Sequence, residues 1–112
     1  MSVLLVALPG SEARAARLAT RLAAEVAAAE FRRFPDGETY VRLDTPATGR
    51  TVVVVASLDR PDDKLPALLF AASAAREHGA RRVVLAAPYL AYMRQDARFR
   101  PGEAVTARVV AR

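Results

Sequence analysis

The chain has 112 residues, a length that predicts one domain with a single, modest hydrophobic core. With 53% hydrophobic and 26% charged residues, the composition is typical of a globular protein and excludes an intrinsically disordered chain. There is no cysteine and one histidine, His78, so disulfide bonds and thiolate metal sites are excluded and a reducing cytoplasm is the expected location.

The formal net charge of +5 comes from arginines that are spread along the whole sequence, together with the single lysine, Lys64. Nucleic-acid-binding surfaces usually gather basic residues on one face or interleave them with aromatic residues, and neither pattern occurs here. No apolar run approaches the roughly 20 residues of a membrane-spanning helix. The sequence therefore predicts a soluble protein with neither nucleic acid nor membrane as a partner.

The first predicted elements are a strand over residues 2–8 and an alanine-rich helix over residues 11–29, separated by a Pro-Gly pair. Ser11 and Glu12 form a plausible helix start, because a hydroxyl accepts an orphan backbone amide and a carboxylate suits the positive end of the helix. We interpret Ser11 as a simple helix cap.

Two short extended segments follow at residues 31–34 and 39–43, and the Pro-Asp-Gly turn between them predicts a hairpin. Residues 51–56 are almost entirely valine. This run is too short to indicate a helix and rich in β-branched side chains, which is typical of a strand buried on both faces. We expect it to be a central strand.

A second helix is predicted from the acidic segment at residues 59–63 to Gly79, and a further buried strand over residues 82–87. Strands that alternate with crossover helices predict an α/β fold with a mainly parallel sheet. Ligands of such sheets bind beyond the carboxyl ends of the strands. The loops after Ala56 and Ala87 are therefore the first places to expect a site.

Residues 33–38 combine an aromatic ring, two carboxylates and a glycine in the sequence Arg-Phe-Pro-Asp-Gly-Glu. The ring of Phe34 can stack on a nucleobase, while Asp36 and Glu38 can accept hydrogen bonds from an exocyclic amine such as that of adenine. A turn rich in proline, aspartate and glycine is also structurally ordinary. From the residues alone, both interpretations stay open.

Residues 88–96, Pro-Tyr-Leu-Ala-Tyr-Met-Arg-Gln-Asp, follow the last predicted buried strand. Arg94 can bind phosphate oxygens with two hydrogen bonds, and Gln95 can hydrogen-bond a sugar or a base. The alternative is a loop whose tyrosines pack in the core and whose charges are solvated.

In this order and at this spacing, the two motifs resemble the ribose-phosphate pyrophosphokinase (PRPP synthase) family. Residues 34–38 are similar to the family's Phe-x-Asp-Gly-Glu loop, and residues 88–96 to its Pro-Tyr-x-x-Tyr-x-Arg-Gln-Asp segment. The resemblance implies a Rossmann-like α/β fold of the phosphoribosyltransferase type. It also implies the N-terminal, ATP-binding domain of an enzyme that transfers the β,γ-diphosphoryl group of Mg-ATP to ribose 5-phosphate, giving PRPP and AMP.

The same resemblance implies an ATP site shared between the subunits of a homo-oligomer. Phe34 would stack on adenine, and Asp36 and Glu38 would contact its polar edge or the ribose. Arg94 of the neighbouring subunit would stabilise the triphosphate, and Gln95 would orient the nucleoside.

Asp96 is expected to fix its loop, and Mg²⁺ is expected to arrive with ATP, without a metal ligand or a catalytic residue from this chain. The family holds ribose 5-phosphate with an Asp-Asp-x-x-Asp-Thr-Gly-Gly-Thr stretch, which does not occur in residues 1–112. Residues 104–112 form a helix-like pattern without a stop signal. We therefore expect that a C-terminal domain binding ribose 5-phosphate is absent from this chain and that the chain alone is inactive.

The alternative function is a catalytically silent regulatory or assembly module that resembles the PRPP synthase-associated proteins and docks onto an active synthase. His78 lies at the end of the second predicted helix, next to Gly79. We expect it to be a cationic residue at the helix C-terminus rather than a catalytic group.

Overall fold

A four-stranded parallel sheet forms the centre of the fold, which the computed structural model describes over residues 2–87. In chain order the elements are β1 (Val3–Ala7), α1 (Glu12–Leu22), β2 (Glu25–Val26), β3 (Ala29–Arg33), β4 (Thr39–Leu43), β5 (Thr51–Val55), α2 (Pro61–Glu77) and β6 (Arg82–Ala86). The sheet has the order β2-β1-β5-β6, and β3 and β4 form a separate antiparallel hairpin. The predicted α/β fold with a mainly parallel sheet is confirmed.

The two middle strands, β1 and β5, are the most apolar part of the molecule. Leu4, Leu5 and Val52 are fully buried, because both faces of a parallel sheet are covered when helices pack on each side. The valine-rich segment pairs with β1 on one side and β6 on the other, so its prediction as a central strand is confirmed.

The two helices lie on opposite faces of the sheet. On one face Ala15 and Ala19 of α1 pack in a cluster with Leu5 and Val55. On the other face α2 contributes buried alanines to a larger cluster with side chains from β1, β5 and the hairpin; these alanines are Ala71 and Ala75. Small side chains at these positions let each helix approach the sheet closely.

The first helix ends earlier than the sequence predicts. It stops at Leu22, and Ala23 adopts a left-handed backbone with φ 51°, so the expectation of a helix over residues 11–29 is wrong at its C-terminal end. The following residues, Glu25–Val26, pair with β1 as an edge strand. Sheet pairing therefore overrides the helix propensity of the alanines.

The second helix ends where the glycine predicts. Gly79 has φ 87°, its N–H donates to the Arg76 carbonyl, and the Ala80 N–H donates to the Ala75 carbonyl, each at 3.0 Å. These two bonds form a Schellman motif, which satisfies carbonyls at the helix end. The backbone N–H of His78, the residue before the glycine, donates to the Ala74 carbonyl.

The hairpin packs against α2 through one of its faces. Phe31, Val41 and Leu43 point to the core cluster, as expected from the alternation of side chains along a strand. Near the tip, Arg33 Nη2 donates to the Asp63 carbonyl at 3.2 Å. Since α2 begins beyond the carboxyl end of β5, this bond brings the tip end of the hairpin to the carboxyl edge of the sheet.

Candidate functional site

The tip of the hairpin is a tight loop closed by two backbone hydrogen bonds. The Gly37 N–H donates to the Phe34 carbonyl, and the Phe34 N–H donates to the Glu38 carbonyl, both at 2.8 Å. Gly37 has φ 93°, a left-handed conformation that glycine adopts without steric cost. This is the pattern of a three-residue loop with a glycine bulge, so the predicted turn is confirmed.

Asp36 stabilises this loop with its own side chain. Its Oδ1 accepts a hydrogen bond from the Glu38 N–H at 3.0 Å. Within residues 2–87 its second oxygen takes part in no hydrogen bond, and the side chains of both Asp36 and Glu38 are exposed. One carboxylate oxygen of Asp36 and the carboxylate of Glu38 therefore remain available to a ligand at the tip.

Phe34 belongs to a cluster on the outer face of the hairpin. Its ring meets that of Tyr40 edge to face, with centroids 5.7 Å apart and an interplanar angle of 85°. The Arg32 guanidinium lies 4.4 Å from the Tyr40 centroid and 5.6 Å from the Phe34 centroid. Phe34 is nevertheless 43% exposed. The cluster fixes the ring while leaving much of its surface open.

The sequence analysis missed Arg32 and Tyr40 as neighbours of Phe34. The two face each other as a cross-strand pair in the hairpin register. Residues two apart on a strand share a face, so Arg32 and Phe34 point the same way. Once the hairpin and its turn are placed, the sequence therefore predicts that Arg32, Phe34 and Tyr40 share one face.

A second set of polar contacts lies at the carboxyl edge of the sheet. Ser11 is 3% exposed, and its Oγ accepts a hydrogen bond from the Ser57 N–H at 3.3 Å. Ser11 is the N-cap residue of α1, as predicted, but its side chain makes no hydrogen bond to its own helix, so the expectation that its hydroxyl caps a backbone amide is wrong. The hydroxyl instead joins the loop after β1 to the loop after β5.

Lys64 holds the loop after β5 to the start of α2. Its Nζ lies 2.7 Å from Asp59 Oδ1 and 3.0 Å from the Ser57 carbonyl, and the Ser57 hydroxyl donates to the same Asp59 oxygen at 2.9 Å. The hydrogen bond from Lys64, then that from Ser57, and the charge of Lys64 lower the pKa of Asp59. The sequence analysis named Lys64 only as the single lysine. It lies five residues after Asp59, across the start of α2, and this spacing could have predicted the ion pair.

A cleft of about 240 Å³ connects the hairpin to this edge. It lies between the tip end of the hairpin, the loop after β1 and the first turns of α2. Its lining residues are Leu8, Pro9, Phe31, Arg32, Arg33, Thr39, Asp63, Lys64 and Ala67. Because β1, β5 and β6 are parallel, their carboxyl ends lie at the same edge of the sheet, and the loop expected after Ala87 falls outside the described residues. Phe34, Asp36 and Glu38 do not line this cleft; they lie at the hairpin tip, next to Arg33 and Thr39, which do.

Arg94, Gln95 and Asp96, the other predicted site residues, lie outside the described residues. In the part of the chain that the structure describes, no three His, Cys, Asp or Glu side chains come together as a metal site. Over the same residues, neither helix is long and apolar enough to cross a membrane.

Comparison with known proteins relates the whole chain to one family. Residues 3–112 match the family model described as the N-terminal domain of ribose phosphate pyrophosphokinase. A ribose-phosphate pyrophosphokinase from Methanopyrus kandleri is 52% identical over 97 residues, which is 86% of this chain and 33% of that protein. One from Sulfolobus acidocaldarius is 40% identical over 95 residues, 84% of this chain and 33% of that protein.

Solved structures give the same relationship. The crystal structure of phosphoribosylpyrophosphate synthetase from Mycobacterium smegmatis matches 99% of this chain and 38% of its own, with a TM-score of 0.90 and 30% identity. A purine phosphoribosyltransferase from Pyrococcus horikoshii Ot3 matches 80% of this chain and 64% of its own, with a TM-score of 0.59 at 14% identity, a likeness of fold. The predicted phosphoribosyltransferase-type fold is confirmed. The chain spans about a third of the length of the curated relatives it matches.

Proposed function

The chain belongs to the ribose-phosphate pyrophosphokinase family, and from this membership we propose that it is the ATP-binding part of a ribose-phosphate diphosphokinase. The complete enzyme would transfer the β,γ-diphosphoryl group of ATP to ribose 5-phosphate, giving PRPP and AMP. The observation that carries the proposal is the hairpin tip, where an open aromatic ring stands beside two exposed carboxylates.

Phe34 is the proposed platform for the adenine ring. An exposed aromatic face gains about 1–3 kcal/mol from stacking on a base. Its contacts with Tyr40 and Arg32 restrict the ring before the nucleotide arrives, which reduces the entropy lost on binding. Asp36 and Glu38 would then accept hydrogen bonds from the exocyclic amine or the ribose hydroxyls.

A neighbouring subunit is proposed to complete the site. The described residues leave Phe34 43% exposed at the tip of a hairpin, and a single open ring cannot enclose a nucleotide. We assign the other side of the site to Arg94 and Gln95 of the neighbouring copy, with Asp96 fixing their loop. Arg94 would stabilise the triphosphate and Gln95 would orient the nucleoside. The protein would therefore act as a homo-oligomer.

Mg²⁺ is proposed to enter with ATP. Among the described residues, no three His, Cys, Asp or Glu side chains come together as a site for it. The ion fits the phosphate oxygens of the nucleotide, which it commonly binds while keeping several waters, and it would neutralise part of their charge. What this chain adds is the position of the nucleoside at the hairpin tip.

Ribose 5-phosphate is proposed to bind a part of the enzyme outside residues 1–112. The chain corresponds to about a third of its relatives and matches a family model of the N-terminal domain. Residues 1–112 would therefore supply the nucleotide-binding part of the reaction. We propose a cytoplasmic location, consistent with a sequence that has no cysteine.

The experiment that tests the proposal is calorimetric titration of the chain with Mg-ATP. Replacing Phe34 with alanine removes the stacking surface, so we expect the dissociation constant to rise by roughly tenfold or more. Leu22→Ala is a matched control, because Leu22 is 50% exposed on α1, away from the hairpin. Equal affinity of the Phe34→Ala and wild-type chains would contradict the proposed adenine site.

A further inference from the structure

The two ends of the hairpin are attached to the rest of the fold in different ways. At its base, Ala29 and Leu43 pack in the core cluster to which α2 contributes. Toward the tip this packing stops, and the cleft of about 240 Å³ separates the hairpin from the first turns of α2. Phe31 marks the boundary, because it packs against the core cluster and also lines the cleft. Apolar packing therefore fixes the base of the hairpin but does not extend to its tip.

One hydrogen bond joins the two walls of the cleft near the tip. Arg33 is the last residue of β3, and its Nη2 donates to the backbone carbonyl of Asp63, in the first turn of α2, at 3.2 Å. Among the described residues, no other hydrogen bond or ion pair joins the hairpin to α2. Since both partners are exposed, water competes for this bond and its contribution is modest.

The acceptor side of this bond is held in place by the sheet. Lys64, the residue after Asp63, bonds to the carbonyl of Ser57 at 3.0 Å and to the carboxylate of Asp59 at 2.7 Å. These contacts fix the first turn of α2 to the loop after β5. The Asp63 carbonyl is therefore a firm acceptor, and Arg33 connects the hairpin to it.

We propose that Arg33 is a positioning residue for the nucleotide site, because its bond to α2 fixes the direction of the hairpin tip. Successive side chains of a strand point to opposite faces, so Arg33 reaches α2 while the ring of Phe34 lies in the outer cluster. Without this bond, the hairpin is free to rotate about its packed base and to carry Phe34 with it. The inference rests on the proposed adenine site, and it names the contact within this chain that orients that site.

Nitrogen relaxation of the backbone in NMR tests the motion of the tip without any nucleotide. Arg33→Met removes the hydrogen-bond donors and keeps a long side chain. We expect greater mobility of the Gly37 N–H, at the tip, and no change at Leu43, in the packed base. Arg42→Met is the matched control, because it removes the same charge from a residue whose ion pairs do not involve α2. A tip that is as ordered in Arg33→Met as in the wild-type chain would overturn the proposal.

Calorimetric titration with Mg-ATP tests the consequence for binding through a double-mutant cycle. Arg33→Met should raise the dissociation constant by roughly three- to tenfold, and Arg42→Met should leave it unchanged. If Arg33 acts by positioning Phe34, its loss should have little further effect in a Phe34→Ala chain. Additive losses would instead show that Arg33 contacts the nucleotide directly, and they would overturn its positioning role.

The same titrations separate a failure of this inference from a failure of the proposed function. If Phe34→Ala leaves the affinity for Mg-ATP unchanged, the adenine site is wrong and the positioning role fails with it. If Phe34→Ala weakens binding while Arg33→Met does not, the adenine site stands and only the role of Arg33 is overturned. Circular dichroism verifies that each variant is folded.

Discussion

Phe34 shows how a side chain can be ordered and still available. Its edge-to-face contact with Tyr40 and the Arg32 guanidinium near both rings stabilise one ring position by about 1 kcal/mol per contact. The resemblance to the family, rather than the motif alone, singled out Phe34, Asp36 and Glu38, and their roles in binding stay predictions. The resemblance did not predict the two supporting residues, because their contact depends on the pairing of Arg32 with Tyr40 across the hairpin.

Asp59 gives a residue-scale test of the loop at the carboxyl edge. The hydrogen bond from Lys64, together with that from Ser57, lowers its pKa in the folded protein. A carboxyl group whose pKa is lowered by folding stabilises the folded protein at pH values above its ordinary pKa. This stabilisation is lost as the pH falls through the lowered pKa. Lys64→Met should therefore raise the pKa of Asp59 toward its ordinary value and reduce this loss of stability in acid.

NMR titration of the Asp59 carboxyl carbon measures the shift directly. Lys64→Arg keeps a cation at the same position and serves as the control, for which we expect the pKa of Asp59 to remain lowered. If the titration of Asp59 were the same in Lys64→Met as in the wild-type chain, the hydrogen bond would not be the cause.

At the scale of elements, the hairpin was predictable and the end of α1 was not. The Pro-Asp-Gly turn lies between two extended segments, and its chemistry is local, so the sequence contains the information. The helix over residues 11–29 was predicted too long because β2 is only two residues and is defined by its pairing with β1. A strand of two residues is too short to show the alternation of polar and apolar side chains that predicts a strand.

Gly37 provides the test at this scale. Its φ of 93° disfavours any side chain, and a Cβ there would meet no atom within 4 Å, so Gly37→Ala should cost about 1–2 kcal/mol from the backbone alone. Urea denaturation measures this loss. Because the loop that holds Phe34 would be displaced, we also expect weaker binding of Mg-ATP.

Gly49→Ala is the matched control for that variant. Gly49 also has a positive φ, of 70°, and open space around a Cβ, but it precedes β5 at the amino edge of the sheet. The Gly49→Ala variant should lose a similar free energy of unfolding and bind ATP with the same affinity as the wild-type chain. Equal ATP affinity of the two variants would show that the hairpin turn does not position the nucleotide.

For the whole molecule, the alternation of apolar strands with helices was sufficient to predict the fold class. The covered faces of β1 and β5 appear in the sequence as unbroken apolar runs, which is why both strands were found. The same pattern predicts a ligand site at the carboxyl edge, and this stays a prediction. The exposure of Leu69 and Phe70 on α2 could not be predicted, since an apolar residue in a helix looks the same in sequence whether it faces the core or the solvent.

The proposed nucleotide site has a consequence for the assembly. A nucleotide site made from the hairpin of one copy and Arg94 of another requires that copies associate, whatever surface brings them together. A hairpin tip that its own described residues leave open is what a shared site needs.

Mixing two defective variants tests the shared ATP site most directly. Phe34→Ala damages the hairpin side and Arg94→Ala the opposite side, so each alone should bind Mg-ATP weakly in calorimetry. After equal amounts are mixed and subunits exchange, half of the dimers contain one intact site, so tight binding should return at about a quarter of all sites. A mixture that binds ATP no better than its separate components would contradict a site shared between subunits.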